Sequence, residues 1–130
     1  MEPDRETRPE LAGVLEQLKS REPIFHRPEL GTSRASFEAM TEVDFWETAA
    51  SGRRYSRTYV LQELERRYQP GSNTEDIWET SDFYCQRVAN DLYLLTYTLK
   101  QPDRLTRRST LWRQTGETWK IVYHQGTVVA

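Results

Sequence analysis

The sequence predicts an α+β domain with three helices in its first half and a mostly antiparallel sheet in its second half. Two observations lead to this class. Apolar residues recur at helical spacing as far as Pro70, and four later runs rich in Tyr, Trp, Val, Thr and Leu are separated by short polar turns. The 130 residues fit one domain, 1–130, whose charged residues 1–8 we expect to be a frayed tail.

Caps and apolar stripes define the three predicted helices. Residues 7–10 (Thr-Arg-Pro-Glu) form a capping box before the first helix, which Pro23 ends. Thr32 or Ser33 caps a short second helix, and Ser56 caps the third. The apolar residues that the first and third helices turn inward are Leu11, Val14, Leu15, Leu18, Val60, Leu61, Leu64 and Tyr68.

Five stretches have the composition of strands. They are Val43–Thr48, Trp78–Val88, Leu92–Leu99, Leu105–Gln114 and Thr118–Gln125. In Leu92–Tyr97 the residues of both parities are apolar, so both faces of that strand should be buried. Because three helices cover only one face of a sheet, we expect a second copy of the chain to cover the other, giving a homodimer through the sheet.

Charge and cysteine content exclude several classes of protein. A net charge of -2 argues against a nucleic-acid partner, and the sequence has no apolar run long enough for a membrane span. With one cysteine, Cys85, and only two histidines, it has neither a disulfide framework nor a typical zinc motif. It also has no glycine-rich phosphate loop. We therefore expect no metal, no cofactor and a cytoplasmic protein whose thiol is buried and unreactive.

The last hairpin carries a family resemblance. Residues 108–113 (RSTLWR), a glycine-containing turn and residues 119–127 (WKIVYHQGT) resemble the closing hairpin of the nuclear transport factor 2-like superfamily, also called SnoaL-like or cystatin-like. Phe45-Trp46-Glu47 followed by Ser51-Gly52-Arg53 resembles the first strand and turn of a bacterial branch of unassigned function. The resemblance extends from Glu10 to Thr127 and implies helices packed on a curved sheet that forms a cone with a pocket.

Six side chains are candidates for catalysis or ligand binding in such a pocket. His124 and Glu47 are candidate acid–base groups, since imidazole titrates near neutral pH and a carboxylate beside it would raise its pKa. Tyr97, Ser109, Tyr123 and Gln125 are candidate ligand contacts. For each group a structural role is the alternative: an inert strand-end histidine, an arginine partner for Glu47, or packing for the tyrosines. The glycine after Gln125 further predicts that His124 lies at the rim.

The faces of the last hairpin follow from the position of its turn. With a two-residue turn at Gly116, Trp112 shares a face with Trp119, Ile121 and Tyr123. The other face then carries Ser109, Leu111, Val122 and His124.

Two functions compatible with the resemblance remain open. One is a non-catalytic, dimeric association or binding domain for a small organic ligand. The other is a small lyase, isomerase or hydrolase of the ketosteroid isomerase or polyketide cyclase type, using His124 and Glu47. No position clearly matches the acidic catalytic sets of those enzymes, since Asp44 and Asp82 have the setting of turn and strand-end residues.

Overall fold

The computed structural model of the chain describes residues 1–71 and 76–130. It contains three α-helices and six strands in one sheet, together with two short 3-10 turns at Pro9–Leu11 and Pro28–Leu30. The helices are α1 (Ala12–Lys19), α2 (Arg34–Met40) and α3 (Arg57–Arg67). The strands are β1 (Thr41–Thr48), β2 (Arg54–Ser56), β3 (Glu79–Ala89), β4 (Leu92–Gln101), β5 (Arg104–Thr115) and β6 (Thr118–Val128). The predicted α+β class is confirmed.

The sheet has the strand order β2-β1-β6-β5-β4-β3. Strands β3 to β6 form the expected antiparallel meander, and β1 joins it by pairing in parallel with β6. Strand β2 was not predicted; it is only three residues long and pairs with the end of β1. In the described part of the chain, no helix is long and apolar enough to cross a membrane.

Two of the predicted helix caps are confirmed. The hydroxyl of Ser33 accepts a hydrogen bond from the Ser36 amide at 3.1 Å, and that of Ser56 accepts one from the Tyr59 amide at 3.2 Å. The predicted capping box at residues 7–10 is wrong. The Thr7 hydroxyl instead accepts a hydrogen bond from the Cys85 amide at 3.0 Å, which ties this segment to the edge strand β3.

The core lies between the helices and one face of the sheet, which we call the inner face. The inner face of β4 contributes Tyr93, Leu95, Tyr97 and Leu99, all at most 2 % exposed. Trp112 of β5 and Trp119 of β6 extend the core toward α1 and α2, whose Leu18 and Phe37 are buried against it. The outer face of the sheet, turned away from the helices, carries half-buried side chains on β4 and β5.

A β-bulge in β6 alters the predicted faces of the last hairpin. The two-residue turn is present, since Thr115 pairs with Thr118, and Trp112 pairs with Ile121 as expected. Leu111, however, pairs with Tyr123, so Val122 is an extra residue on β6. From that point the parity reverses. His124 therefore joins Trp112 on the inner face, and Tyr123 joins Leu111 on the outer face, contrary to the prediction.

Candidate functional site

A cavity of about 320 Å³ opens between α3, the β1–β2 connection and the inner face of β5 and β6. Its wall combines apolar and charged side chains, as ligand sites commonly do. The apolar part includes Ile24, Tyr55, Tyr59, Val60 and Leu64. The titratable part comprises His26, Glu47, Glu63, Arg67, Arg104, Arg108 and His124.

The structure brings the two predicted acid–base residues together. Glu47 of β1 and His124 of β6 are register partners in the parallel pair, and both line the cavity. Register partners on neighbouring strands have Cα atoms about 5 Å apart and side chains on the same face. The two groups therefore share one wall of the cavity, close enough for a common ligand.

His124 is buried, contrary to its predicted place at the rim. The residue is only 2 % exposed, and its Nδ1 lies 2.9 Å from the Thr110 hydroxyl. Its Nε2 has no hydrogen-bond partner among the described residues. Burial, with the positive charge of Arg108 and the neighbouring His26, lowers the pKa of His124 well below its ordinary 6.5. The expected rise of this pKa beside Glu47 is therefore not found, and His124 is neutral near pH 7.

The pKa of Glu47 is shifted upward, whereas that of His124 is shifted downward. Burial raises the pKa of its carboxyl group, and the positive charges of Arg108 and Arg67 lower it by smaller amounts. Desolvation thus outweighs two guanidinium groups at this position. A carboxyl group with a raised pKa can both donate and accept a proton closer to neutral pH, which is the property required of a general acid or base.

Three arginines approach the cavity from different elements. Arg67 comes from the end of α3, and Arg104 and Arg108 come from β5. Arg108 is half-buried, and its side chain lies over Gly126 of β6, where an added Cβ would be 3.5 Å from Arg108 Cδ. The Nε of Arg108 is buried without a hydrogen-bond partner in the described part of the protein.

His26 and Asp76 form a hydrogen-bonded pair that was not predicted from the sequence. His26 Nδ1 lies 2.6 Å from the Asp76 carboxylate, and His26 lines the cavity. Burial lowers the pKa of His26, although the hydrogen bond and charge of Asp76 act to raise it. A carboxylate on Nδ1 orients the ring and leaves Nε2 available, as in acid–base dyads. Fifty residues separate the partners along the chain, so no local pattern indicated this pair.

The backbone beside His26 is held in an unusual conformation. Phe25 has a φ of 65°, a left-handed value that non-glycine residues rarely adopt. Its ring packs edge-on against Phe37 and Phe45, and its carbonyl accepts a hydrogen bond from the Tyr68 hydroxyl at 2.6 Å. These contacts fix the segment and thereby place His26 in the cavity wall.

Tyr97, a predicted ligand contact, lies in the core. Its hydroxyl donates a 2.7 Å hydrogen bond to Glu22, which is fully buried. The same carboxylate accepts hydrogen bonds from Trp112 Nε1 and from the Ile24 amide, both at 3.0 Å. Burial raises the pKa of Glu22 even though hydrogen bonds from Tyr97, Thr110 and Trp112 and the charge of Arg108 lower it. Tyr97 therefore belongs to a buried polar network beside the cavity.

The other three predicted ligand contacts lie on the outer face. Ser109 pairs with Gln125, and Tyr123 pairs with Leu111 next to Trp46. The Tyr123 hydroxyl is hydrogen-bonded to Thr48 at 2.7 Å and to Gln125 at 2.9 Å. Ser109, Tyr123 and Gln125 are thus close to one another but face away from the cavity. Within residues 1–71 and 76–130, no three His, Cys, Asp or Glu side chains are grouped as a metal site would require.

Comparison with solved structures identifies the fold. A protein of unknown function in nutrient uptake from Rhodospirillum rubrum, described as nuclear transport factor 2-like, matches with a TM-score of 0.63 and 15% identity over 92% of this chain and 98% of its own. A candidate ketosteroid isomerase from Parabacteroides distasonis matches with a TM-score of 0.63 and 18% identity over 96% and 95%. A candidate calcium/calmodulin-dependent kinase II association domain from Exiguobacterium sibiricum matches with a TM-score of 0.63 and 15% identity over 100% and 98%.

These matches define the class of protein to which the chain is similar. This chain has the nuclear transport factor 2-like fold, an α+β cone, as the resemblance of the closing hairpin predicted. No family model matches the sequence, and no curated protein does. At identities of 15 to 18%, the similarity shows the fold alone.

Proposed function

We propose that this protein is a dimeric domain that binds a small organic molecule in the cavity of its cone. The cavity itself is the observation that carries the proposal. Its volume of about 320 Å³ lies within the range of small-ligand sites, and aromatic and apolar side chains surround a few convergent polar groups. Two of those groups, Arg108 Nε and His124 Nε2, have no partner among the described residues, so a ligand could satisfy them.

Native mass spectrometry of the purified protein tests this proposal. We expect a small molecule to accompany the wild-type protein and to be absent from Ala50→Trp, because the larger side chain would occupy the cavity that Ala50 lines. Ala89→Trp is the matched control, because Ala89 is exposed at the end of β3. A ligand retained by Ala50→Trp, or bound equally weakly by all three proteins, would contradict the assignment of the cavity.

The alternative function is catalysis by titratable residues of the same cavity wall. It is favoured by the alignment of Glu47 with His124 and by the second histidine, His26, held by Asp76. A carboxyl group with a raised pKa beside neutral imidazoles is suited to moving a proton at a bound substrate, as a lyase, isomerase or hydrolase requires.

Turnover of the identified ligand, followed by NMR, separates the two functions. Under the catalytic alternative, Glu47→Gln and His124→Gln lower the rate by about 100-fold or more, which is the usual contribution of a general acid or base. Asp44→Asn, on an exposed position of the same strand, is the control and should leave the rate unchanged. A ligand that stays intact with the wild-type protein rejects this alternative.

The proposed homodimer forms through the outer face of the sheet. Leu92, Leu94 and Leu111 are only half-buried there, and Trp46 is 44% exposed. Stable homodimers of this kind bury on the order of 2,000 Å² in total, an area that a six-stranded sheet face can supply. The outer-face positions of Ser109, Tyr123 and Gln125 then serve the contact between subunits.

Light scattering at micromolar concentration tests the dimer. We expect the wild-type protein to have twice the mass of the 130-residue chain and Leu94→Lys to be monomeric, because a buried ammonium would have no partner. Ile77→Lys makes the same change at a residue that is 56% exposed and should remain dimeric. A monomeric wild-type protein would exclude this interface.

We further propose a cytoplasmic location, which the single free thiol supports. Cys85 is buried and has no second cysteine with which to form an internal disulfide. Fractionation of the source cells, followed by detection of the chain in each fraction, tests the proposal. Recovery outside the cytoplasmic fraction would reject it.

A further inference from the structure

We infer that the cavity selects a small organic monoanion, a carboxylate with an apolar body, and that Arg108 is its main partner. This inference rests on the proposed binding function and specifies the ligand's chemical class.

Arg108 has the geometry of an anion site. It projects from the inner face of β5 between the buried residues Thr106 and Thr110, and its stem lies against the Gly126 backbone. Its buried Nε has no acceptor among the described residues, although a buried N–H group rarely lacks one. The buried carboxyl group of Glu22 makes no hydrogen bond with this Nε; it accepts hydrogen bonds from Tyr97, Trp112 and the Ile24 amide.

The charge of the cavity wall favours an anion. Three arginines and two glutamates line it, so it carries a net charge of one positive unit when both carboxyl groups are ionised. The two histidines add no charge near pH 7 because the pKa of each is lowered. Protonation of Glu47, whose pKa is raised, would make the wall more positive and turn that carboxyl into a hydrogen-bond donor.

A monocarboxylate fits this wall better than a phosphate. Arg108 can hold a planar carboxylate with its fork of N–H donors, while Glu47 and Glu63 would repel a second negative charge. Tyr59, Val60 and Leu64 of α3 line the same cavity and can cover an apolar body. The unpartnered His124 Nε2 supplies one further polar contact.

Titration calorimetry with benzoate, benzamide and inorganic phosphate tests the inference. We expect benzoate to bind the wild-type protein at least about tenfold more tightly than either of the other two, and Arg108→Gln to lose this preference. Arg107→Gln is the matched control, because the preceding residue on β5 points to the outer face and pairs with Asp82 at 3.5 Å. It should bind benzoate within about twofold of wild type.

A second variant tests the same contact without removing a charge. Arg108→Lys keeps the positive charge but loses the planar fork of N–H donors, so it should weaken benzoate binding even if Arg108→Gln fails to fold. Equal binding of benzoate and benzamide, or full benzoate affinity in Arg108→Gln or Arg108→Lys, overturns the inference and leaves the binding function standing. Failure of all three probes together with no co-purified ligand overturns both.

Discussion

Glu22 offers the sharpest test of the forces that hold the cone together. Its carboxylate is fully buried and accepts three hydrogen bonds: 2.7 Å from the Tyr97 hydroxyl and 3.0 Å from both Trp112 Nε1 and the Ile24 amide. It joins the segment after α1 to β4 and β5. We expect Glu22→Ala to destabilise the protein more than any substitution of an exposed carboxylate.

The expected loss of stability depends on how many buried hydrogen-bond donors lose their acceptor in Glu22→Ala. Each buried donor without an acceptor costs about 1–3 kcal/mol, so the three donors together cost about 3–9 kcal/mol. Removing the carboxylate also relieves the several kcal/mol needed to bury it. We therefore expect a net loss of about 3 kcal/mol for Glu22→Ala and about half of that for Glu22→Gln, which keeps one acceptor oxygen.

The raised pKa of Glu22 also predicts how its contribution to stability changes with pH. Burial raises the pKa of Glu22 above its ordinary 4.5, so the folded state holds this proton where the unfolded state has lost it. The contribution of Glu22 to stability is therefore complete below pH 4.5 and declines as the pH rises through the folded-state pKa. The advantage of wild type over Glu22→Gln should shrink as the pH rises.

Urea unfolding followed by tryptophan fluorescence measures both quantities. Glu16→Gln, at an exposed position of α1, is the control and should change stability by less than about 0.5 kcal/mol. A loss below about 1 kcal/mol for Glu22→Ala would refute the assigned network. An advantage over Glu22→Gln that grows with pH would refute the direction of the pKa shift.

Four single residues have measurable effects on stability, reactivity or binding. His124 is buried neutral, so its contribution to stability should be present above pH 6.5 and lost as the pH falls, and acid unfolding should show less of this loss in His124→Gln. Burial raises the pKa of Cys85 to about 11, so native protein should react slowly with a thiol reagent; rapid labelling would contradict this. Gly31→Ala should destabilise by more than about 1 kcal/mol in thermal unfolding, because φ is 112° and the new Cβ would overlap the Ser36 hydroxyl group. Benzoate binding should strengthen as the pH falls toward the raised pKa of Glu47, and calorimetry of Glu47→Gln should show this dependence lost.

Local chemistry explains which parts of the fold were predictable. The caps at Ser33 and Ser56 and the two-residue turn at Gly116 are set by a few neighbouring residues, so the sequence indicates them directly. The predicted capping box at residues 7–10 is wrong because a distant residue, and not a neighbour, determines the hydrogen bond of Thr7. Thr7 makes its hydrogen bond with Cys85, 78 residues away, and such a long-range contact overrides a local preference.

The candidate site was only partly predictable because tertiary pairing assembles it. Glu47 and His124 were identified by residue type, and the parallel pairing of β1 with β6 brings them into register. The bulge at Val122 has no composition signal, yet it decides that His124 faces the cavity and Tyr123 does not. Arg108 was not among the candidate site residues, although alternation along β5 places it on the same face as Trp112.

Alternation along the last two strands also explains where the cavity lies. The inner face of β5 carries the core residue Trp112 near the turn and Arg108 at mid-strand, and β6 repeats this order from Ile121 to His124. Apolar residues occur where α1 and α2 cover the sheet, and polar residues occur where α3 leaves space. Since a buried polar group is costly unless it has a partner, this change from apolar to polar along one face marks the part of the cone that a ligand completes.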